Sequence, residues 1–571
     1  MSVSASLASR ASLLSAALGL GLGVGLSYLY ARLKKSKKSR FSNPNWGLIR
    51  VRGIELAKQE SEEAAKQAAQ AAAQAAAARA AAKAAGESTP SNSIPISELP
   101  DSIMKKHPKG CGMDLVKIDA PVTSVGMFPV SNLRDFYESK GRENVLGSGM
   151  IHDYNQKLAG DALIYGDIVR KPGMVPFSRA YLRAGPRKTL YFNPQEVKAA
   201  IVTCGGLCPG LNNIIKDVTL SLLNLYGASA VYGIVGGYRG FDGEPVLLTR
   251  ERVSEAHLSG GTILGSSRGG FDLEKIFAFL KKYGISQLYV CGGDGTHRAA
   301  NKIGLEALAR KLNIAVAGIP KTIDNDLDLI DRSFGFNSAV GAAQDAIISA
   351  KTEAKCNLPN GIGIVKLMGR HAGFVAAHAT LASGMVDLCL VPEVPVVLRG
   401  TYGCLPHLER VLKEKGHAVV VVAEGAGEEL IGAEVGTDAG GNKKLPEIGP
   451  FFKQAVSDYF AEKGTEVTIK YIDPSYMIRS VPANSSDAIF CTLLAQNAVH
   501  GAMAGYTCFT TGLVCNRTVY IPIPAIVENS PRMMDRSGRT WERIVTVTGQ
   551  PNAPCDKPAV SENAIQPATI F

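Results

Sequence analysis

A regular alternation of predicted strands and helices, which begins at Val197, constrains the fold more than any other feature of the sequence. Apolar runs such as residues 197–203 and 362–367 are each followed by a glycine-containing turn and then by a helical segment such as residues 338–355. Strands that alternate with helices form parallel sheets whose two faces are covered by helices. We therefore predict an α/β fold with mainly parallel sheets.

Polar residues in this region share one position, directly after the C-terminal end of a predicted strand. They lie in the turns 204–212 (CGGLCPGLN), 260–268 (GGTILGSSR), 292–296 (GGDGT), 320–326 (PKTIDND), 368–370 (MGR) and 424–425 (EG). The carboxyl ends of parallel strands meet at one edge of a sheet, and open α/β sheets bind their ligands there. Several turns that carry Arg, Asp or Glu at one edge indicate an active site in that cleft rather than packing.

The turn 292–296 has the composition of a seat for metal-bound phosphate. Its glycines let the backbone approach an anion closely, and the start of the following helix offers free N–H groups and a favourable dipole. Asp294 would repel a bare phosphate, so its presence indicates that Mg²⁺ lies between the two. A tight turn whose aspartate only caps the helix is the structural alternative.

The whole set of turns favours phosphoryl transfer. This chemistry needs groups that neutralise phosphate oxygens and a carboxylate that accepts the proton of an attacking hydroxyl. The turns supply both kinds of group: Arg268, Arg370, Asp294, Asp324 and Asp326. The sequence has no Walker motif, no protein-kinase signature set and no H-E-x-x-H metal site, and its first loop lacks the dinucleotide fingerprint G-x-G-x-x-G.

The net charge of +11 does not indicate a nucleic-acid partner. Nine of the 62 Lys and Arg residues lie among the first 54 residues, which contain no acidic residue. The remaining 53 basic residues almost balance the 51 Asp and Glu residues, so the basic excess belongs to the N-terminus. The 11 cysteines form no C-x-x-C pair, which favours free thiols in a reducing compartment.

The N-terminal region, residues 1–40, is predicted to be a hydrophobic anchor or targeting segment with a basic flank. Residues 11–31 contain no charge, and six basic residues follow up to Arg40. About 20 apolar residues span a bilayer, and the basic flank predicts that the rest of the chain stays on the cytosolic face of an organelle membrane. The alternative is a transit peptide that is cleaved in the chloroplast or another plastid, because the region is rich in Ser and Ala and free of acids.

Composition divides the rest of the chain into four further segments. Residues 41–100 comprise an alanine-rich helical spacer at 55–85, about 45 Å long, and a Ser/Pro-rich linker. Residues 101–192 form an N-terminal extension to which we assign no chemistry. Residues 193–524 carry the catalytic pattern, and residues 525–571 form a polar C-terminal tail.

The turns 205–212, 292–296, 320–326 and 368–370 occur in the order and spacing of 6-phosphofructokinases, and they most resemble the plant-type ATP-dependent branch. The resemblance covers residues 193–524, and residues 149–188 resemble the N-terminal extension of that branch. It implies two Rossmann-like lobes and transfer of a phosphoryl group from ATP to the 1-hydroxyl of fructose 6-phosphate, the committed step of glycolysis. It also implies Mg²⁺, allosteric control and a homo-oligomer, either a dimer or a tetramer.

The resemblance also implies a role for individual residues. Asp324 would take the proton of the sugar hydroxyl, Arg370 would assist, and Asp294 would bind Mg²⁺. The residues implied to bind ATP are Gly206, Arg268, Gly269, Gly293, Asp294, Gly295 and Thr296. The residues implied to bind the sugar phosphate are Thr322, Ile323, Asp324, Met368, Gly369, Arg370, Glu424, Lys470, Tyr476, Met477, Ile478 and Arg479.

Three positions depart from the bacterial members of this family. Tyr476 stands where those relatives have His, and Lys470 stands where they use an Arg supplied by a neighbouring subunit. Lysine is a point charge and cannot bind phosphate in a bidentate manner. A second subunit-crossing Arg is replaced by Gly361, which leaves the composition of the shared site open.

The choice of phosphoryl donor depends on Gly295 and Lys321. The pyrophosphate-using branch has Asp and Lys at these positions, so the combination in this chain is mixed. An Asp at position 295 would fill and charge the space that the α-phosphate of a nucleotide needs, whereas Gly leaves it open. We therefore predict ATP, with pyrophosphate as the alternative.

Other functions remain as hypotheses. NAD kinases and lipid kinases share the GGDGT turn but lack the elements 320–326 and 368–370 at these distances. A non-catalytic regulatory subunit on the same fold could lose its base or metal ligand, yet Asp324 and Asp294 are both present. Recruitment to a membrane through the N-terminus is compatible with catalysis.

Overall fold

The computed structural model describes the chain in several stretches: residues 116–118, 124–137, 141–143, 163–165, 177–432, 436 and 445–552. All of them belong to one unit, which extends from Asn92 to Phe571. The predicted anchor, spacer and linker lie outside the described residues. None of the described helices has the length and apolar character needed to cross a membrane.

Seventeen strands are present in the described residues. In chain order they are β1 (Val116–Ile118), β2 (Ser124–Met127), β3 (Arg142–Glu143), β4 (Leu163–Tyr165), β5 (Phe177–Arg183), β6 (Thr189–Leu190), β7 (Lys198–Thr203), β8 (Ala230–Ile234), β9 (Val246–Leu247), β10 (Gln287–Gly292), β11 (Ala315–Pro320), β12 (Gly361–Leu367), β13 (Leu388–Leu390), β14 (His417–Ala423), β15 (Thr468–Ile472), β16 (Phe509–Val514) and β17 (Arg517–Pro522).

The same stretches contain thirteen α-helices. They are α1 (Leu211–Leu220), α2 (Arg250–Val253), α3 (Leu273–Tyr283), α4 (Asp294–Ala309), α5 (Phe336–Cys356), α6 (Phe374–Ser383), α7 (Cys404–Lys415), α8 (Glu428–Ile431), α9 (Ile448–Glu462), α10 (Ser475–Arg479), α11 (Ser485–Met503), α12 (Ile523–Glu528) and α13 (Arg539–Thr548). A π-helical segment, Ser221–Tyr226, continues α1.

The strands form two main sheets. The larger has the order β1-β2-β5-β17-β16-β11-β10-β7-β8-β9, with β4 paired to β5. Its centre, from β16 to β8, is parallel, and its margins contain antiparallel pairs. The smaller sheet has the order β13-β14-β12-β15 and is parallel throughout. The prediction of an α/β fold with mainly parallel sheets is therefore confirmed.

Helices cover both faces of each sheet, because the side chains of the central strands alternate between two cores. In β10, Tyr289 and Cys291 pack with helices α1 and α11, whereas Leu288 and Val290 pack with α3 and α4. In the smaller sheet, one face packs on α5 and α6 within the same core as Tyr289, and the other packs on α7 and α9. This shared core joins the two sheets into one body.

The C-terminal region differs from the prediction of a polar tail at 525–571. Helices α12 and α13 pack against the fold, and they bury Ile526, Trp541 and Ile544 almost completely. Helix α13 turns Trp541, Ile544 and Thr548 inward, and their spacing is the amphipathic pattern of a helix that packs on one face. The folded region therefore extends at least to Asn552.

Candidate active site

The first glycine loop follows β7 and leads into α1. Gly205 has a φ of +86°, a left-handed conformation that glycine adopts without strain. A Cβ atom placed on Gly206 would lie 3.8 Å from Nη1 of Arg479 and 3.9 Å from Nη2 of Arg268. Two guanidinium groups from distant parts of the sequence thus converge beside this loop, where they can bind phosphate oxygens.

The second loop carries Arg268 and Gly269, and hydrogen bonds hold it against the first. The Ser266 hydroxyl donates to the Gly205 carbonyl over 2.6 Å, and the Gly205 amide donates to the Ser267 carbonyl over 3.1 Å. Both Arg268 and Gly269 are exposed. The predicted ATP-binding residues of the two loops therefore lie side by side at one surface.

In the third loop, helix α4 begins at Asp294, inside the glycine turn 292–296. Gly293 is the N-cap, so Asp294, Gly295 and Thr296 form the first helical turn. The first amides of a helix have no acceptor within the helix, and they point toward any anion at its N-terminus. A Cβ atom on Gly295 would meet nothing within 4 Å, so the space beside this residue is open.

The carboxylate of Asp294 is accessible for binding a cation. Its Oδ2 atom accepts a hydrogen bond from Arg298 Nη1 over 2.6 Å, and its side chain is 42% exposed. The described residues include no cluster of three His, Cys, Asp or Glu side chains suited to a metal ion. A single carboxylate at a phosphate-binding turn nevertheless fits Mg²⁺, which commonly takes one or two carboxylates and completes its shell with phosphates and water.

His297 holds this loop in place, a role that the sequence analysis does not identify. The ring is fully buried between the Gly293 carbonyl, 3.0 Å from Nδ1, and the Thr510 hydroxyl, 3.0 Å from Nε2. Since a carbonyl only accepts, Nδ1 carries the proton and donates to Gly293. Burial lowers the pKa of His297, which keeps the ring neutral at physiological pH.

The fourth loop follows β11 and contains Asp324. The register aligns Gly292 with Pro320, which brings this loop beside the third. The buried Lys321 ammonium donates to the Gly206 carbonyl over 2.7 Å and so joins this loop to the first as well. Within the loop, the Thr322 hydroxyl donates to Asp326 Oδ1 over 2.6 Å and lies 3.2 Å from the Asp324 amide nitrogen.

Asp324 lies in a negative and largely dry environment. Its Oδ1 atom is buried and accepts no hydrogen bond from the described residues, although part of the residue reaches the surface. Burial, followed by the charges of Asp326 and Glu424, raises the pKa of Asp324 to about 8, while Arg370 and Lys321 oppose the rise. A carboxyl with these neighbours is suited to accept a proton near neutral pH.

The residues predicted to bind the sugar ring lie after β12 and β14. Arg370 Nε is 3.7 Å from Glu424 Oε1, which pairs the two charged side chains across the adjacent strand ends. The Gly425 amide donates to the Gly369 carbonyl over 3.1 Å, and a Cβ atom on Gly369 would come within 2.7 Å of the Ala372 carbonyl. The half-buried Met368 packs against the shared core.

The last predicted group, residues 470–479, is less enclosed. Tyr476 and Met477 are 73% and 72% exposed, and the Arg479 guanidinium lies 4.6 Å from the centre of the Tyr476 ring. Lys470 is half-buried on the edge strand β15.

Two of the predicted sugar-phosphate residues have side chains that pack in the hydrophobic core. These are Ile323 and Ile478, which are 6% and 1% exposed. They can therefore contact a ligand only through the backbone.

The structure explains why position 361 has no side chain. A Cβ atom on Gly361 would lie 1.9 Å from the carbonyl oxygen of Ala354 and 2.8 Å from that of Asn357. The end of helix α5 therefore occupies the space into which a side chain at the start of β12 would project.

Comparison with known proteins shows that the chain is similar to phosphofructokinases. The Phosphofructokinase family profile matches residues 198–502. ATP-dependent 6-phosphofructokinase 7 of Arabidopsis thaliana is 49% identical over 69% of this chain and 81% of its own length. ATP-dependent 6-phosphofructokinase 1 of the same plant is 51% identical over 66% and 80%. The ATP-dependent 6-phosphofructokinase of Amycolatopsis methanolica is 46% identical over 64% and 82%.

Solved structures support the fold. A pyrophosphate-dependent phosphofructokinase from Marinobacter aquaeolei superposes with a TM-score of 0.51 at 20% identity, over 63% of this chain and 94% of its own. The phosphofructokinase of Saccharomyces cerevisiae gives a TM-score of 0.50 at 23% identity, over 62% and 50%. At this level of identity the similarity concerns the fold alone.

Proposed function

The chain belongs to the phosphofructokinase family, and from that premise we propose that it is an ATP-dependent 6-phosphofructokinase. It transfers the terminal phosphoryl group of ATP to the 1-hydroxyl of D-fructose 6-phosphate and forms fructose 1,6-bisphosphate and ADP. The observation that best supports this function is the buried Asp324 carboxyl, which is surrounded by groups that can bind phosphate.

Asp324 acts as the general base. It accepts the proton of the sugar 1-hydroxyl as the hydroxyl oxygen bonds to the transferring phosphorus and the bond to the ADP oxygen breaks. A base must be ionised to accept a proton, and a raised pKa makes the ionised form a stronger base. Arg370 and Lys321, which lower the pKa of Asp324, keep it within the physiological range.

The remaining groups stabilise negative charge on the phosphates. Arg268 lies beside Gly206, and the first amides of α4 are free to bind an anion at the start of that helix; Arg479 also reaches Gly206 but belongs to the group predicted to bind the sugar phosphate. Such preorganised donors lower the barrier because they need not reorient as charge develops. The Lys321 ammonium has a second role, since its hydrogen bond fixes the Gly206 carbonyl and hence the shape of the loop.

Asp294 would hold Mg²⁺ together with phosphate oxygens of ATP. The bound ion would neutralise phosphate charge and help to align the donor with the acceptor. Arg298 donates to Oδ2 of Asp294 and keeps the carboxylate at the N-terminus of α4.

Gly295 supports ATP as the donor. The position is exposed and has open space where a side chain would project, so the bulk of a nucleotide can lie against it. An Asp at this position would place a negative charge beside the nucleotide phosphates. Lys321 can serve either donor.

The donor is tested by measuring product formation from fructose 6-phosphate with ATP and, separately, with pyrophosphate. We expect turnover with ATP and at most weak turnover with pyrophosphate. A preference for pyrophosphate would refute the donor assignment, and no turnover with either would favour a regulatory subunit.

We also propose that the protein is a homo-oligomer. The resemblance to 6-phosphofructokinases supports this proposal, and Tyr476 and Met477 beside Arg479 are exposed on the surface of the described chain. Sedimentation of the purified protein tests the proposed homo-oligomer. A monomer at the assay concentration would contradict it.

For the location, the sequence of residues 11–40 supports a cytoplasmic enzyme anchored to an organelle surface, with a plastid as the alternative. Cell fractionation with salt and carbonate extraction distinguishes these cases. Purely soluble protein would rule out the anchor.

A further inference from the structure

The C-terminal segment 527–534 contacts the site although it lies beyond residues 198–502, which the family profile matches. It connects α12 to the turn before α13 and touches the loops that carry Asp294, Asp324 and Arg370. The three contacts involve different residues of the segment.

The first contact is made through Arg298 on α4. Its Nη1 atom donates to Asp294 Oδ2, and its Nη2 atom donates to the Val527 carbonyl over 2.9 Å. A weaker contact of 3.4 Å reaches the Ser530 carbonyl. One guanidinium group therefore fixes the proposed magnesium ligand relative to the C-terminal segment.

The second contact is with the loop of Asp324, and Arg532 makes most of it. The Arg532 amide donates to the Asp326 carbonyl over 2.7 Å. Its side chain donates from Nη1 to the Ile330 carbonyl over 3.0 Å and from Nε to the Asn325 carbonyl over 3.3 Å. Ser530 adds a further bond, because its hydroxyl oxygen accepts from the Asp328 amide over 2.9 Å.

The third contact is with the loop of Arg370. Glu393 accepts hydrogen bonds from the amides of Gly373, over 2.9 Å, and Met534, over 2.8 Å. The Arg532 guanidinium also lies 5.3 Å from the centre of the Phe374 ring, at the start of α6. Segment 527–534 therefore contacts the loop of Arg370 as well as the loop of Asp324 and Arg298.

We propose that Arg532 is a positioning residue for Asp324, and that segment 527–534 keeps the loops of Asp294, Asp324 and Arg370 in fixed positions relative to one another. The inference rests on the proposed role of Asp324 as the base. Asn325, the residue next to Asp324, has a φ of +57°, a left-handed conformation that asparagine adopts more readily than most residues other than glycine. The forked guanidinium group supports this turn by binding the carbonyls of Asn325 and Ile330 together.

A positioning role differs from a purely structural role in the kinetic constant that it controls. If Arg532 fixes the direction of Asp324, its loss lowers kcat while both substrates still bind, because the interaction matters in the transition state. If it only stabilises the fold, its loss lowers the melting temperature and leaves kcat per folded active site unchanged.

The experiment compares Arg532→Ala, Arg532→Lys and the wild-type protein in a fructose 6-phosphate assay with ATP, with rates normalised to folded protein. We expect Arg532→Ala to lower kcat by about 10-fold to 100-fold, with KM values for both substrates changed by no more than about threefold. Lysine can bind only one carbonyl well, so Arg532→Lys should recover part of the loss.

Arg187→Ala is the matched control. Arg187, in the loop between β5 and β6, is buried, donates to the Arg183 carbonyl over 2.7 Å and lies 5.5 Å from the centre of the Tyr520 ring; like Arg532 it binds a backbone carbonyl and lies against an aromatic ring. Its loss should lower thermal stability and leave kcat unchanged.

A kcat for Arg532→Ala within about twofold of the wild type would overturn the inference. If that variant does not fold, an unchanged kcat for Arg532→Lys would overturn it instead. A wild-type protein without fructose 6-phosphate turnover would refute the proposed function itself, so the two failures are distinguishable.

Discussion

The loop of Asp324 and the segment 470–479 lie at the same proposed site, but the chain holds them in different ways. The loop of Asp324 is held by hydrogen bonds within the loop, from Thr322 and Ser333, and by hydrogen bonds to other parts of the chain, through Lys321 and Arg532. In the segment 470–479, the side chains of Tyr476 and Met477 are about three-quarters exposed, at 73% and 72%.

This difference separates the chemistry from the recognition of the sugar phosphate. The protein's own hydrogen bonds hold the base and the phosphate loops in place, which is the condition for preorganised catalysis. In the segment 470–479, by contrast, Tyr476 and Met477 point into solvent beside Arg479. Changes on the first side should therefore alter kcat or the use of ATP, and changes on the second should alter KM for the sugar phosphate.

Among the substitutions that leave Asp324 in place, Gly295→Asp should have the largest effect on the preformed side. A carboxylate beside nucleotide phosphates costs several kcal/mol, so we expect kcat/KM for ATP to fall about a thousandfold. Binding of fructose 6-phosphate, measured by calorimetry, should be retained.

Gly341→Asp is the matched control, because Gly341 is also an exposed helical glycine with open space around it. It introduces the same side chain into α5 and should leave the use of ATP unchanged. Full ATP activity in Gly295→Asp would refute the steric argument.

Arg479→Ala tests the exposed side. The loss of one charged hydrogen-bond donor to phosphate costs about 1.5–3 kcal/mol, so KM for fructose 6-phosphate should rise about 10-fold to 100-fold. The value of kcat at saturating substrate should change less. Steady-state kinetics with varied sugar phosphate measure both constants.

Arg399→Ala is the control for this change, since Arg399 also lies against a tyrosine ring, Tyr459, and pairs with Glu462 at the surface. It should leave KM unchanged. If Arg479→Ala instead lowered kcat alone, the proposed division between the two regions would be wrong.

The pH dependence should show the smallest effect. Asp324 accepts a proton only when ionised, so kcat/KM should rise as the pH increases toward its pKa of about 8. The negative charge of Asp326 raises this pKa, so Asp326→Asn should move the rise to lower pH and change the rate at any one pH by no more than about tenfold.

Asp331→Asn is the control. Asp331 lies farther along the same loop as Asp326, and its carboxylate accepts hydrogen bonds from the amides of Cys515 and Asn516. Its profile should coincide with that of the wild type. A shift to higher pH in Asp326→Asn would contradict the electrostatic account of Asp324.

Much of the fold and part of the site could be predicted from local sequence. The apolar runs of β7, β10, β11 and β12 are continuous because parallel strands are buried on both faces. Their polar turns must meet at one edge, which is why the loops of Asp294 and Asp324 could be placed together from the sequence.

The supporting residues could not be found in this way, because their partners are distant in sequence. His297 contacts Thr510, 213 residues away, and Arg532 contacts Asn325, 207 residues away. The lack of space at Gly361 depends on how closely α5 approaches β12. These features arise from tertiary packing, and no local pattern encodes them.

A single-turnover measurement on Asp324→Asn tests the central claim, the role of Asp324 as the base, most directly. Asparagine preserves the shape of the side chain but cannot accept the proton, so bound ATP and fructose 6-phosphate should react about 100-fold to 10,000-fold more slowly than in the wild type. Equilibrium binding of both substrates should be retained. Formation of fructose 1,6-bisphosphate at the wild-type rate in this variant would contradict the account.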